Sequence, residues 1–166
     1  MAAGGPYPGM AITRSRYRTA SSAGALVAFL LVLIFGSPWY VDWTQQGDRG
    51  IFLETLAWPA WDFDTNAAVR DVLGADLKAI LLIVFTWLFI TLLVGAQLAS
   101  ARGTISAIFT GWAAYMFAAA LAAFLTSFLL PNPSFSAATA NAAAGAGYGL
   151  IVGWIIGLAT MAGRRP

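Results

Sequence analysis

From Ala79 to Leu98 the chain runs without a charged residue, over a length close to the ~20 residues a helix needs to cross ~30 Å of hydrocarbon. A helix of that length without a polar face belongs in lipid or deep inside a large protein, and a chain of 166 residues has no such interior to offer. Three further apolar runs flank it, at about 23–41, 105–130 and 142–162. The four runs predict an all-α integral membrane protein, a four-transmembrane-helix bundle. Composition agrees, since 60% of the residues are hydrophobic and 10% charged, against about 25% charged in a soluble domain.

The 23–166 bundle is preceded by residues 1–22, rich in Gly, Pro, Ser and Arg, which read as a flexible basic tail ending in Arg14, Arg16 and Arg18. A basic stretch before an apolar run also opens a secretory signal peptide. The run at 23–41 is long and carries no small-x-small cleavage pattern at its end, which favours an uncleaved first span. Loops retained in the cytoplasm collect Lys and Arg. With both termini inside, Arg14, Arg16, Arg18, Arg102, Arg164 and Arg165 are cytoplasmic, and only Arg49, Arg70 and Lys78 lie outside. The expected location is the cytoplasmic (inner) membrane, and the preference for Ala, and for Arg over Lys, matches the coding bias of a GC-rich bacterial genome.

Residues 42–78 form a structured acidic outer segment between the first two spans. It holds every carboxylate of the chain: Asp42, Asp48, Glu54, Asp62, Asp64, Asp71 and Asp76. Trp39, Tyr40 and Trp43 mark the outer end of the first span, where amphipathic rings favour the headgroup level. The apolar stretch Gly50 to Trp58 suits packing against the bundle or membrane. Beyond it, Val69, Leu73 and Leu77 recur at helical spacing after the candidate cap Asn66, so the second helix is expected to begin outside the bilayer, with Gly74 as a point of bending. Asp62-Phe63-Asp64-Thr65-Asn66 opens like a calcium loop, but Ala67 and Leu73 occupy the positions of its glycine and bidentate glutamate. A solvated acidic turn is the plainer reading.

The most specific pattern is Gly145, Gly149, Gly153 and Gly157, spaced by four along the fourth run. Glycines so spaced share a helix face and let a second backbone approach closely. Ala114, Ala118 and Ala122, and Gly103, Ala107 and Gly111, offer small faces on the third run, so a tight hairpin of these two helices is expected. The same face could instead pack against another protein or a second copy of this chain. Trp39, Trp43, Trp58, Trp61, Trp87 and Trp154 are candidates for docking a partner. Trp87, Trp112 and Trp154 fall near mid-membrane, where bulk facing lipid and a ring filling a partner's groove are equally good readings. Thr86, Thr91, Thr110, Thr126, Ser127 and Thr160 are expected to bond back to their own helices.

Four spans, inside termini and a large tryptophan-bearing first outer loop resemble the claudin and peripheral-myelin type tetraspans. The resemblance is one of topology, and the paired loop cysteines of that family are absent, so it implies no function.

Cysteine and histidine are both absent, which removes thiolate chemistry and the usual haem and zinc ligands. No cofactor or metal is expected. No Asp, Glu, Lys or Arg lies inside a predicted span, so the usual sign of an ion pathway is missing. The few basic residues sit at membrane boundaries and imply no nucleic acid. The reading that follows is a non-catalytic accessory or scaffolding subunit of a larger membrane complex, such as a lipid-transport or respiratory assembly, whose partners are larger membrane-protein subunits and the lipid bilayer. The alternatives are a homo-oligomeric pore packed through the glycine face and a lipid-directed enzyme using Asp62 and Asp64.

Overall fold

A computed structural model of the chain describes residues 8–63, 68–98 and 104–163. Every regular element among them is helical: α1 (Pro8–Phe35), α2 (Pro38–Gln45), α3 (Ile51–Leu56), α4 (Val69–Leu98), α5 (Thr104–Thr126) and α6 (Phe135–Ala162), with a 3-10 turn at Ser127–Leu129. Three stretches are long and apolar enough to cross a membrane: Val69–Leu93, Ile105–Leu129 and Phe135–Ala162. A fourth span arises if Ala20–Phe35 and Pro38–Gln45, bent by 58° from each other, count as one. The long helices close a ring in which α1 packs on α4 and α6, and α5 on α4 and α6. Their common core includes Val32, Leu82, Ile90, Tyr115, Val152 and Ile156.

The first run departs from a single straight span over 23–41. Helix α1 starts at Pro8, inside the stretch expected to be a flexible tail. Proline fits the first helical turn, and after Gly9 neither glycine nor proline recurs before Gly24. The helix then stops at Phe35 because Pro38 has no N–H to give to the Ile34 carbonyl. Ser37 repairs both sides of the break. Its Oγ donates to that carbonyl at 2.7 Å and accepts from the Tyr40 N–H at 3.3 Å, capping α2.

The outer segment supplies further donors at the bend, one of them to the Val32 carbonyl that also accepts from the Gly36 N–H at 3.0 Å. The Trp61 N–H donates to the Gly36 carbonyl at 2.8 Å, and the Trp61 indole N–H to the Val32 carbonyl at 3.1 Å. A side chain at Gly36 would run into Pro59, its Cβ lying 2.6 Å from the Pro59 carbonyl oxygen. Backbone groups freed by the break need partners wherever water is excluded, and the loop supplies them. Short α3 leans on this cap, where Tyr40 is buried and donates from its hydroxyl to the Leu53 carbonyl at 3.0 Å.

Helix α4 begins at Val69, ahead of the apolar run at 79–98, and runs unbroken through Gly74. Helix α5 ends in the 3-10 turn, after which Asn132 takes a positive φ of 56° between Pro131 and Pro133. Helix α6 begins at Phe135 rather than near Ala142, because the Ser134 side chain accepts from the Ala137 N–H and caps the helix there. Hydroxyls inside the helices bond back one turn: Thr86 to Leu82, Thr91 to Trp87, Thr110 to Ser106, Thr126 to Ala122, Ser127 to Ala123 and Thr160 to Ile156.

Helices α5 and α6 make the most extensive pairing. The glycines of α6 lie directly on the α5 backbone. A Cβ at Gly149 would stand 2.5 Å from the Met116 Cα, one at Gly145 2.5 Å from the Ala119 carbonyl oxygen, and one at Gly153 2.7 Å from the Trp112 ring. Gly157 meets the Ile108 carbonyl in the same way, and a Cβ at Gly111 would come 2.9 Å from the Gly157 Cα. The stripe of α5 under the glycines is thus Ile108, Trp112, Met116 and Ala119. Of the small residues expected to face α6, Gly111 lies in this seam, while Ala114, Ala118 and Ala122 are fully buried in the central cluster and are not among the nearest contacts of the glycines. Spacing by four recurs on more than one face of α5, and it does not say which face meets α6.

Candidate functional site

At the end of the bundle covered by α2 and α3, four segments meet around Lys78, the one lysine of the chain. The early start of α4 places this residue on an ordered helix, where it is half-buried and not in free solvent. Its ammonium lies 4.8 Å from the centroid of the Trp58 ring, a geometry that offsets part of the cost of removing a cation from water. Trp58 is held in turn by the cap: its N–H donates to the Thr55 carbonyl, it joins fully buried Pro59 through a cis bond, and its ring lies 4.6 Å from that of Tyr148 on α6.

The facing wall comes from the end of α5 and the second turn of α6. Asn141 Nδ2 donates to Ser127 Oγ at 2.9 Å, and Ser127 Oγ donates to the Ala123 carbonyl at 2.6 Å. Because Gly74, Ala75, Ala123 and Ala144 occupy the intervening positions, space remains between the walls. It is a partly open cavity of about 220 Å³, and no carboxylate is among its lining residues. Asp42 and Asp62 line a separate cavity of about 510 Å³ that Lys78 and Ala75 also border. The Asp62 N–H donates to an Asp76 carboxylate oxygen at 3.2 Å, tying the outer segment to α4.

Chemically, the smaller cavity offers an ammonium and an amide N–H₂ in a surround of small apolar groups. Those donors suit an acceptor-rich or anionic group. Behind it, Tyr148 and Tyr115 share a buried hydrogen bond of 3.0 Å between their hydroxyls, so an aromatic chain leads from Trp58 into the bundle core.

The tryptophans singled out from sequence separate into distinct settings. Trp58 lines the cavity and Trp61 stitches the bend between α1 and α2. Trp43 is half-buried, with the Arg49 guanidinium 4.5 Å from its ring centroid. Trp39 is 75% exposed, and Trp87 and Trp154 are each 48% exposed on outward faces. Trp112, by contrast, points along the seam and donates its indole N–H to the Leu150 carbonyl at 3.0 Å.

Lys78, Ser127 and Asn141 were not among the expected site residues. A sole lysine beside an apolar run and a lone asparagine in an alanine-rich stretch were the available signals. Asp64 to Ala67 of the calcium-loop reading, together with Arg102, Gly103, Arg164 and Arg165, lie outside the described residues. Comparison with known proteins returns no matching family model, no matching curated protein and no matching solved structure.

Proposed function

We propose that the chain is a non-catalytic accessory or scaffolding subunit of a larger assembly in the cytoplasmic membrane, with both termini inside. A lipid-transport or respiratory complex is the kind of assembly meant. The observation that carries this reading is the use made of the glycine face. Gly145, Gly149, Gly153 and Gly157 are covered by α5 of the same chain, so the surface that would have joined copies into a pore is already occupied.

What remains outward are large apolar side chains on several faces, among them Trp87 on α4, Phe117 on α5 and Trp154 on α6, which are 48%, 56% and 48% exposed. Rigid aromatic rings of this kind serve as anchors in packed interfaces. Inside termini put six of the nine basic residues on the cytoplasmic side and three outside, the bias that supports this orientation. The test is a tag placed after Pro166, extraction of native membranes in mild detergent, and mass spectrometry of whatever copurifies. A constant set of larger membrane subunits is the expected result. Recovery of the chain alone, or only with copies of itself, overturns the reading.

A further inference from the structure

We propose that the cavity at Lys78 holds the phosphate group of a bilayer phospholipid, bound between α4, α5 and α6. The inference stands on the cavity itself and does not depend on the accessory-subunit reading.

Depth is the first argument. Lys78 lies about 30 Å along α4 from Leu98, at about 1.5 Å per residue. The same rise places Asn141 about 31 Å from Ala162 at the far end of α6. Both residues therefore stand one hydrocarbon thickness from the opposite end of their helices, at the level where lipid phosphates lie. Ser127, just beyond the last turn of α5, joins them there through Asn141. The tryptophan beside them belongs to the same level by its own preference for the headgroup region.

Charge is the second argument. A lysine side chain at a membrane boundary ordinarily snorkels outward to water. Lys78 instead lies against Trp58, and of the two recesses it borders, the one it shares with Asn141 has no carboxylate in its lining, whereas Asp42 and Asp62 line the other. A phosphate diester would receive charge-assisted hydrogen bonds from the ammonium and a further donor from the Asn141 amide. Space is the third. A Cβ built on Gly74 meets nothing within 4 Å, because that side of α4 opens on the cavity, and about 220 Å³ gives room for a headgroup phosphate with part of its glycerol.

The test uses the full chain in detergent, titrated with phosphatidylglycerol and, separately, with inorganic phosphate, and read by native mass spectrometry. Wild type and Lys78→Arg, which keeps a cation able to bond phosphate, are expected to retain one phosphatidylglycerol. Lys78→Gln and Gly74→Leu, the second filling the recess, are expected to lose affinity by about tenfold or more. Elution as a single species on size exclusion verifies that each variant is folded. Gly74→Leu carries the test if Lys78→Gln does not fold, since its side chain enters open space. Equal lipid retention in wild type and Gly74→Leu would overturn the proposal, as would binding of inorganic phosphate with no retention of lipid.

Discussion

Along the α5–α6 seam two backbones touch because side chains are missing, whereas at the α2–α3 cap the chain is held by side chains that reach backbone. In the seam, glycines of α6 rest on Ile108, Trp112, Met116 and Ala119, so contact is distributed and mostly van der Waals. In the cap, Ser37, Tyr40 and Trp61 each serve a particular carbonyl or N–H. The difference follows from regularity. A continuous helix satisfies its own backbone and needs only shape from its neighbour, while a broken one exposes polar groups that an apolar surrounding cannot satisfy. Seam and cap should therefore fail differently, the first to bulk and the second to the loss of single polar atoms.

The largest effect is expected from Gly149→Leu. Its Cβ would fall 2.5 Å from the Met116 Cα, a backbone atom that cannot rotate away, so the helices must part. A destabilisation of about 3 kcal/mol or more is expected from overpacking of this kind. Gly147→Leu is the matched control on the same helix, since a Cβ there meets nothing within 4 Å, and it should not lower stability and should raise it slightly, by up to about 1 kcal/mol. Thermal unfolding in one detergent compares the two. Equal losses would mean that glycine matters to α6 through helix flexibility, and the contrast between seam and cap would collapse.

Next is the tyrosine pair where seam and cap meet. Tyr115→Phe leaves the buried Tyr148 hydroxyl without its 3.0 Å partner, and about 2 kcal/mol should be lost. Tyr148→Phe should cost a similar amount, while the double variant should recover most of the loss, because no buried hydroxyl is then stranded. A double-mutant cycle measures this, and additive losses would show that the hydroxyls do not depend on each other. Ser37→Ala tests the cap alone. It removes the bond to the Ile34 carbonyl and the cap at the Tyr40 N–H, for an expected loss of about 1 kcal/mol in the same unfolding assay.

How much of this was legible beforehand follows the same division. The apolar runs and the glycine spacing are periodic, and a periodic signal survives in sequence without knowledge of neighbours. Even there, spacing did not single out the backbone positions under the α6 glycines: Gly111 of the small sets meets Gly157, while Gly149, Gly153 and Gly157 rest on Met116, Trp112 and Ile108, themselves spaced by four. The break between α1 and α2 was written in Gly36-Ser37-Pro38, yet a mean of apolar residues passes over it. The start of α6 was missed because Ser134 acts through one capping bond, which no hydropathy average registers. The Lys78 cavity was least legible. Trp58, Lys78, Ser127 and Asn141 come from separate elements, and only the folded arrangement of α3, α4, α5 and α6 brings them together.

The smallest effect, and the one that best separates architecture from site, is expected at Gly74. This glycine is interior to α4, and its missing side chain does not serve a close helix approach as those of α6 do, since an added Cβ meets nothing. Glycine in a helix interior costs about 0.5–1 kcal/mol relative to alanine through its greater unfolded freedom. Gly74→Ala should therefore raise stability by about that amount, in contrast to Gly149→Ala, whose methyl would strike Met116. The opposite signs of two identical substitutions in one unfolding assay would establish that glycine at 149 is required by contact and glycine at 74 is not. Loss of stability in both would instead mean that α4 bends or shifts at Gly74 to seat against α5, so that the seam's dependence on small residues extends across the bundle.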